Sequence, residues 1–319
     1  MRFELALASI IGMTGVMGVD PGSIGMGDAL TTANMPEEFL DDVYFVEHVP
    51  LMALQVDPRI SYALYVPTTH YTADPAKSGG PKLPLLVYVH GTGRNTVAIF
   101  DELVPFSNST PCAIVAPVFP MGLDGPNDLD SYKQINGKTL RSDNALLSVL
   151  DQVSVRWPGI ETSKVFMMGF SGGGQFAHRF LYLHPDRLAG ISVGSPGRPT
   201  FLDNTQDWPV GTKDVQAVFG KAIDTAAIAK LPIQLVVGNK DTEIHGDEAF
   251  WEWKKETFGD GGLPPMNETR VESIEKLRDS WSAAGIQTQF NVVDGVAHQE
   301  TGVRSTVLGF LGPLIAKGI

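Results

Sequence analysis

From about residue 43 onward, short apolar runs alternate with longer segments whose apolar residues recur at helical spacing. Short apolar runs at 84–90, 112–118, 164–169, 190–194 and 231–238 predict strands, and those at 84–90 and 231–238 are nearly continuous. That pattern predicts parallel strands covered on both faces, because a strand with one wet face would alternate. The run at 288–293 does alternate and predicts a further strand. Helical spacing predicts helices over 96–104, 142–156, 173–184, 270–284 and 303–316, with Asp143 and Asn144 at an N-cap position and Gly285 closing the fourth. Val43–Leu54 and Ile60–Val66 suit an opening antiparallel pair turning near Asp57-Pro58, and the turn-rich stretch Thr72–Pro81 reads as an exposed loop. The expected fold is therefore α/β, a mostly parallel central sheet of about eight strands with helices on both faces.

Three stretches depart from this alternation. Residues 1–42 form an N-terminal arm ahead of a single domain over 43–319. Leu5–Val19 carries no charge, and Val16-Met17-Gly18 resembles a small-residue cleavage site. The n-region has only Arg2, offset by Glu4, so an arm packed on the domain or on a second copy is preferred to a signal peptide over 1–18. The run is too short to span a membrane comfortably. Residues 195–230 fall between two core strands and predict a small lid, with Phe201, Trp208 and Phe219 suited to a pocket. Residues 242–267, with Phe250, Trp251, Trp253 and Phe258, predict a second pocket wall. Taken singly, each aromatic is more readily explained as ordinary packing.

Composition narrows the class. A chain of 319 residues can bury a large core without disulfides or metals. Its net charge of −12 argues against nucleic acid, whose phosphates it would repel. The lone Cys112 lies in an apolar run, reads as a core thiol and leans toward a reducing, cytoplasmic compartment, with secretion the alternative.

The chemistry concentrates at strand ends. Gly169-Phe170-Ser171-Gly172-Gly173 is a G-x-S-x-G pentapeptide, but with 34 glycines in the chain, chance would supply one on the order of 0.2 times. Its context carries the weight: an apolar run precedes it and a helical segment follows. A serine there projects from a sharp turn above the sheet edge, and Gly169 and Gly173 keep the strand–helix crossing clear. Strand 84–90 runs into His90-Gly91-Thr92-Gly93, a turn able to aim the backbone N–H of Thr92 or Gly93 at a developing oxyanion, beside that of Gly172. Asp241 follows strand 231–238, and His298 follows strand 288–293. The order Ser171, Asp241, His298 differs from the chymotrypsin and subtilisin orders. Glu243 and Asp247 are reserve acids, and His245 is a second-choice base. Arg94 could hold a substrate carboxylate, although pairing with a surface acid is the simpler expectation. No metal-ligand spacing and no dinucleotide fingerprint is present, so neither metal nor cofactor is expected.

Together these motifs resemble the α/β-hydrolase-fold serine hydrolases of the esterase and depolymerase-like kind, over roughly residues 43–319. The resemblance implies a Ser171–Asp241–His298 triad, a backbone oxyanion hole at Gly172 and Thr92 or Gly93, and hydrolysis of a carboxylic ester, thioester or lactone through an acyl-serine. Thr92 stands where many lipases and esterases carry glycine, which weakens a lipase assignment but not the turn. Acyl transfer, or release or tailoring of an intermediate in secondary metabolism, is the variant. A non-catalytic binding protein on the same fold is the reading from another class. The expected partner is a small acyl substrate, with Arg94, Phe201, Trp208 and Trp251 as pocket candidates; no stable membrane span is expected, and the apolar arm would suit a homodimer.

Overall fold

A computed structural model of the protein describes residues 30–126, 128–242, 252, 255 and 268–318. Eight strands form one sheet: β1 (Glu47–Ala53), β2 (Ser61–Val66), β3 (Leu85–Val89), β4 (Ala113–Val118), β5 (Val165–Phe170), β6 (Leu188–Gly194), β7 (Ile233–Gly238) and β8 (Gln289–Val293). They lie in the order β1-β2-β4-β3-β5-β6-β7-β8. The β1–β2 and β2–β4 pairs are antiparallel and the rest are parallel.

Alternation within each central strand feeds two cores. On one face, Leu85, Val87, Val89 and Met167 meet helices α2 (Ser142–Arg156), α3 (Gly172–Leu183) and α4 (Arg270–Ala283). On the other, Leu86, Tyr88, Phe166 and Met168 meet α1 (Val97–Ser109) and α5 (Glu300–Ala316). Helix α5 presents Val303, Val307, Leu311 and Ile315, one residue per turn, all buried. Each such side chain contributes about 1.5–3 kcal/mol of burial. Cys112 is buried in the second core, and burial pushes its thiol up to about 12.

Local differences from the sequence expectation have physical reasons. Helix α1 continues through Pro105 to Ser109, because Phe100 and Leu103 are anchored in the core and Ser107 Oγ donates to the Cys112 carbonyl at 2.6 Å. Asp143 is not a cap: α2 begins at Ser142, and the buried Asp143 carboxylate binds Arg141 and His184 instead. The described part of the arm packs on the domain. Thr32 N–H donates to the Arg156 carbonyl at 2.9 Å, and Thr32 Oγ1 meets the Tyr71 hydroxyl at 2.5 Å. Residues 1–29, and the question of a leader there, lie outside the described residues.

The chain from 195 to 230 crosses the end of β6 and then runs along α3. Ser195 N–H donates to the Val236 carbonyl, Arg179 Nε to Thr200 Oγ1, and the Tyr182 hydroxyl to the Thr200 carbonyl. A cavity of about 500 Å³ in this stretch is lined by Leu202, Val215, Ile223 and Ala284 among others, none of them a candidate site residue.

Candidate active site

The order β4-β3-β5 means the chain leaves β3 toward one side of the sheet and later returns to its other side. At such a reversal the loops after adjacent strands diverge, opening a crevice at the strands' C-terminal ends. The turn after β3 and the turn after β5 meet there.

Ser171 links β5 to α3 with φ 56° and ψ −115°, a backbone region a non-glycine residue occupies at a cost of roughly 1–3 kcal/mol. What holds it is the close approach of backbones: a Cβ at Gly173 would lie 2.1 Å from the Val89 carbonyl oxygen, and one at Gly169 would lie 2.4 Å from the Gly173 oxygen. Ser171 N–H donates to the Gly194 carbonyl at 2.9 Å, tying the turn to β6.

The other two residues arrive from the far end of the sheet. His298 Nε2 lies 2.9 Å from Ser171 Oγ, and His298 Nδ1 lies 2.8 Å from Asp241 Oδ2. A carboxylate only accepts, so Nδ1 carries the proton and Nε2 is left to accept from the serine hydroxyl. Asp241 is 1% exposed, while His298 is half-buried with its ring tilted against Phe170 at 4.9 Å. The two loops are stitched to each other. Asn239 Nδ2 donates to Asp294 Oδ1 at 2.6 Å, Gly295 N–H donates back to Asn239 Oδ1 at 2.8 Å, and Lys240 N–H reaches the Val296 carbonyl at 2.9 Å.

Of the two candidate donors in the turn after β3, Thr92 lies against Gly172: a Cβ on Gly172 would lie 2.9 Å from Thr92 N, while a Cβ on Gly93 would meet nothing within 4 Å. Among the described residues neither Thr92 N–H nor Gly172 N–H has an acceptor. His90 braces the turn as a neutral ring: Phe119 N–H donates to Nε2 at 3.0 Å, so Nδ1 donates to the Gly91 carbonyl at 2.8 Å. Burial pushes its pKa down to about 4.

Among the described residues Arg94 forms no ion pair with an acid. Its guanidinium donates to the carbonyls of Thr92 (2.5 Å), Leu129 (3.0 Å) and Phe119 (3.2 Å) and lies over the Tyr132 ring, so it clamps the turn. Phe201 and Trp208 pack against the first core, Trp208 donating to the Gln134 carbonyl at 2.8 Å and meeting Phe219 edge-on. Trp251, Glu243, His245 and Asp247 lie outside the described residues, as does most of the expected second pocket wall.

A cluster invisible to the sequence reading sits beneath the turn. The short helix Ser131–Gln134 delivers Tyr132, whose hydroxyl donates to the His90 carbonyl at 3.0 Å, and Lys133, whose Nζ lies 2.7 Å from Thr92 Oγ1. Asp130 pairs with Lys133 at 2.5 Å and with Arg198 at 2.9 Å. Among the described residues no group of three or more His, Cys, Asp or Glu is placed to hold a metal, and no helix is long and apolar enough to cross a membrane.

No family model matches the chain, and no curated protein matches it by sequence. Solved structures do match. Poly(aspartic acid) hydrolase-1 from Sphingomonas sp. KT-1 aligns with TM-score 0.60 at 20% identity, over 78% of this chain and 92% of that one. A poly(3-hydroxybutyrate) depolymerase from Bordetella parapertussis aligns with TM-score 0.57 at 20% identity, over 79% and 83%. An S-formylglutathione hydrolase from Agrobacterium tumefaciens aligns with TM-score 0.52 at 15% identity, over 80% and 89%. At these identities the likeness speaks for architecture: the chain has the α/β-hydrolase fold.

Proposed function

We propose that the protein is a serine hydrolase that cleaves a carboxylic ester, thioester or lactone through an acyl-Ser171 intermediate. The observation that carries this reading is the continuous hydrogen-bonded line Asp241–His298–Ser171, with links of 2.8 and 2.9 Å. Ser171 Oγ attacks the acyl carbon as its proton passes to His298 Nε2, and the carbonyl π pair moves onto oxygen. That oxygen faces the N–H groups of Gly172 and Thr92, which need no reorganisation to receive it. Collapse expels the alkoxide or thiolate, which takes the proton from Nε2. Water then repeats the sequence and frees the acid.

The named substrates of the structural neighbours, a poly(aspartic acid), a poly(3-hydroxybutyrate) and S-formylglutathione, are consistent with acyl chemistry on this fold. A binding role is disfavoured by the completeness of the triad and by two backbone donors standing unpaired beside the nucleophile. The test is a p-nitrophenyl ester series from acetate to decanoate with wild type and Ser171→Ala, alongside labelling by a fluorophosphonate probe. Turnover and labelling by wild type, both lost in the variant, are expected. A wild type that neither turns over any ester nor takes the label would overturn the reading.

A further inference from the structure

Lys133 is an ammonium buried to 4% exposure beneath the turn after β3. Burying such a charge costs several kcal/mol unless it is paired, and Asp130 supplies the pairing at 2.5 Å. A second of the three Lys133 N–H bonds goes to a neutral atom, Thr92 Oγ1, at 2.7 Å. An ammonium can only donate, so in this contact Thr92 Oγ1 is the acceptor and its own hydrogen points elsewhere. Among the described residues that hydrogen has no acceptor. Gly172 packs against both polar atoms of Thr92: a Cβ there would lie 2.6 Å from the Tyr132 hydroxyl oxygen, 2.9 Å from Thr92 N and 2.9 Å from Thr92 Oγ1. Backbone nitrogen and side-chain oxygen of Thr92 thus both lie beside Gly172, the residue that carries the other proposed donor.

We propose that Thr92 offers the reacting carbonyl two donors, its backbone N–H and its hydroxyl, with Lys133 as the positioning residue that orients and polarises the hydroxyl. The proposal rests on the acyl-serine reading and adds a third donor to it. No proton is transferred: the hydroxyl donates a hydrogen bond that strengthens as the carbonyl oxygen gains charge, and Lys133 behind it makes that hydroxyl a better donor. Burial pulls the Lys133 ammonium below the usual lysine range, while Asp130 opposes that shift. The arrangement also explains a threonine where glycine would suffice for a backbone donor alone.

The test uses Thr92→Val, which keeps shape and backbone N–H, Thr92→Ser, which keeps the hydroxyl, Lys133→Met, and the Thr92→Val/Lys133→Met double variant, all on one p-nitrophenyl ester. Thr92→Val is expected to lower kcat by about 100-fold with KM nearly unchanged, the size of a lost oxyanion donor, and Thr92→Ser to restore most of it. Lys133→Met is expected to lower kcat by about tenfold alone and to add nothing in the Thr92→Val background, since both changes remove one unit. Full kcat in Thr92→Val would overturn the hydroxyl's role. An equal loss from Lys133→Met with or without the hydroxyl would overturn the Lys133 part. Wild type lacking Ser171-dependent turnover and labelling would instead remove the acyl-serine reading, and this proposal with it.

Discussion

Asp241 is held almost entirely out of solvent, with Oδ2 on His298 and Oδ1 without a hydrogen-bond partner among the described residues. The field of the Arg270 guanidinium, itself anchored on the Gly197 carbonyl at 2.9 Å, reaches it. A carboxylate in that position does one thing a neutral amide cannot: it demands a proton on Nδ1. Asp241→Asn removes the demand while keeping the shape. An NH2 facing the ring makes Nδ1 an acceptor and puts the proton on Nε2, where it blocks the serine. The expected loss in kcat is roughly 10³–10⁴-fold with the far-UV spectrum unchanged. A loss below about tenfold would count against the role assigned to Asp241. At this scale the sequence was informative where residue type and chain order carry meaning, as for Ser171, Asp241 and His298. It was silent on Tyr132 and Lys133, because Asp130-Ser131-Tyr132-Lys133 has no periodicity and no motif spacing. Their role exists only after a long irregular connection, residues 119 to 141, brings that short helix under the turn.

Elements explain why strand ends were legible and connections were not. A strand buried on both faces must be a run of aliphatic residues, so β3, β5 and β7 stand out in the sequence, and the candidate site residues sit one to three residues beyond each. Phe201 and Trp208 were harder to place, since an aromatic at a lid position and one packed along a helix have the same composition. The structure packs both against the first core, with the Arg179 guanidinium of α3 over the Trp208 ring. The brace between β3 and β4 carries a pH consequence. Folded His90 has its pKa near 4, whereas an unfolded histidine titrates near 6.5. Between those limits only the unfolded chain takes the proton, so this residue's contribution is complete above pH 6.5 and is lost as the pH falls toward 4. The slope is about 1.4 kcal/mol per pH unit. Urea unfolding at pH 7, 6 and 5 should show it, and the His90 ring resonances should not move over that range. A His90 resonance titrating near 6.5 would contradict the assignment.

At the scale of the molecule, one sheet serves two cores. Because each central strand sends alternate residues to opposite faces, neither helical layer can come away without exposing the strands that support the other. Two probes separate the layers: Trp157 and Trp281 lie in the first core and Cys112, the chain's one cysteine, in the second. In a background with Trp251 and Trp253 replaced by Phe, tryptophan fluorescence and Cys112 accessibility to a thiol reagent should report the same urea midpoint. Separated midpoints would mean that the layers unfold independently. The stitching of the Asp241 and His298 loops has a different kind of consequence. The bonds from Asn239 to Asp294, from Gly295 to Asn239 and from Lys240 to Val296 lie within that pair of loops, while toward the nucleophile the ring has the 2.9 Å contact to Oγ and the packing on Phe170. In the proposed acyl-enzyme Oγ no longer donates to Nε2, yet the loop-to-loop bonds and the packing on Phe170 are untouched. On the proposed mechanism the base therefore stays on station through the waiting period between the two half-reactions, already pointed at the place where water must arrive.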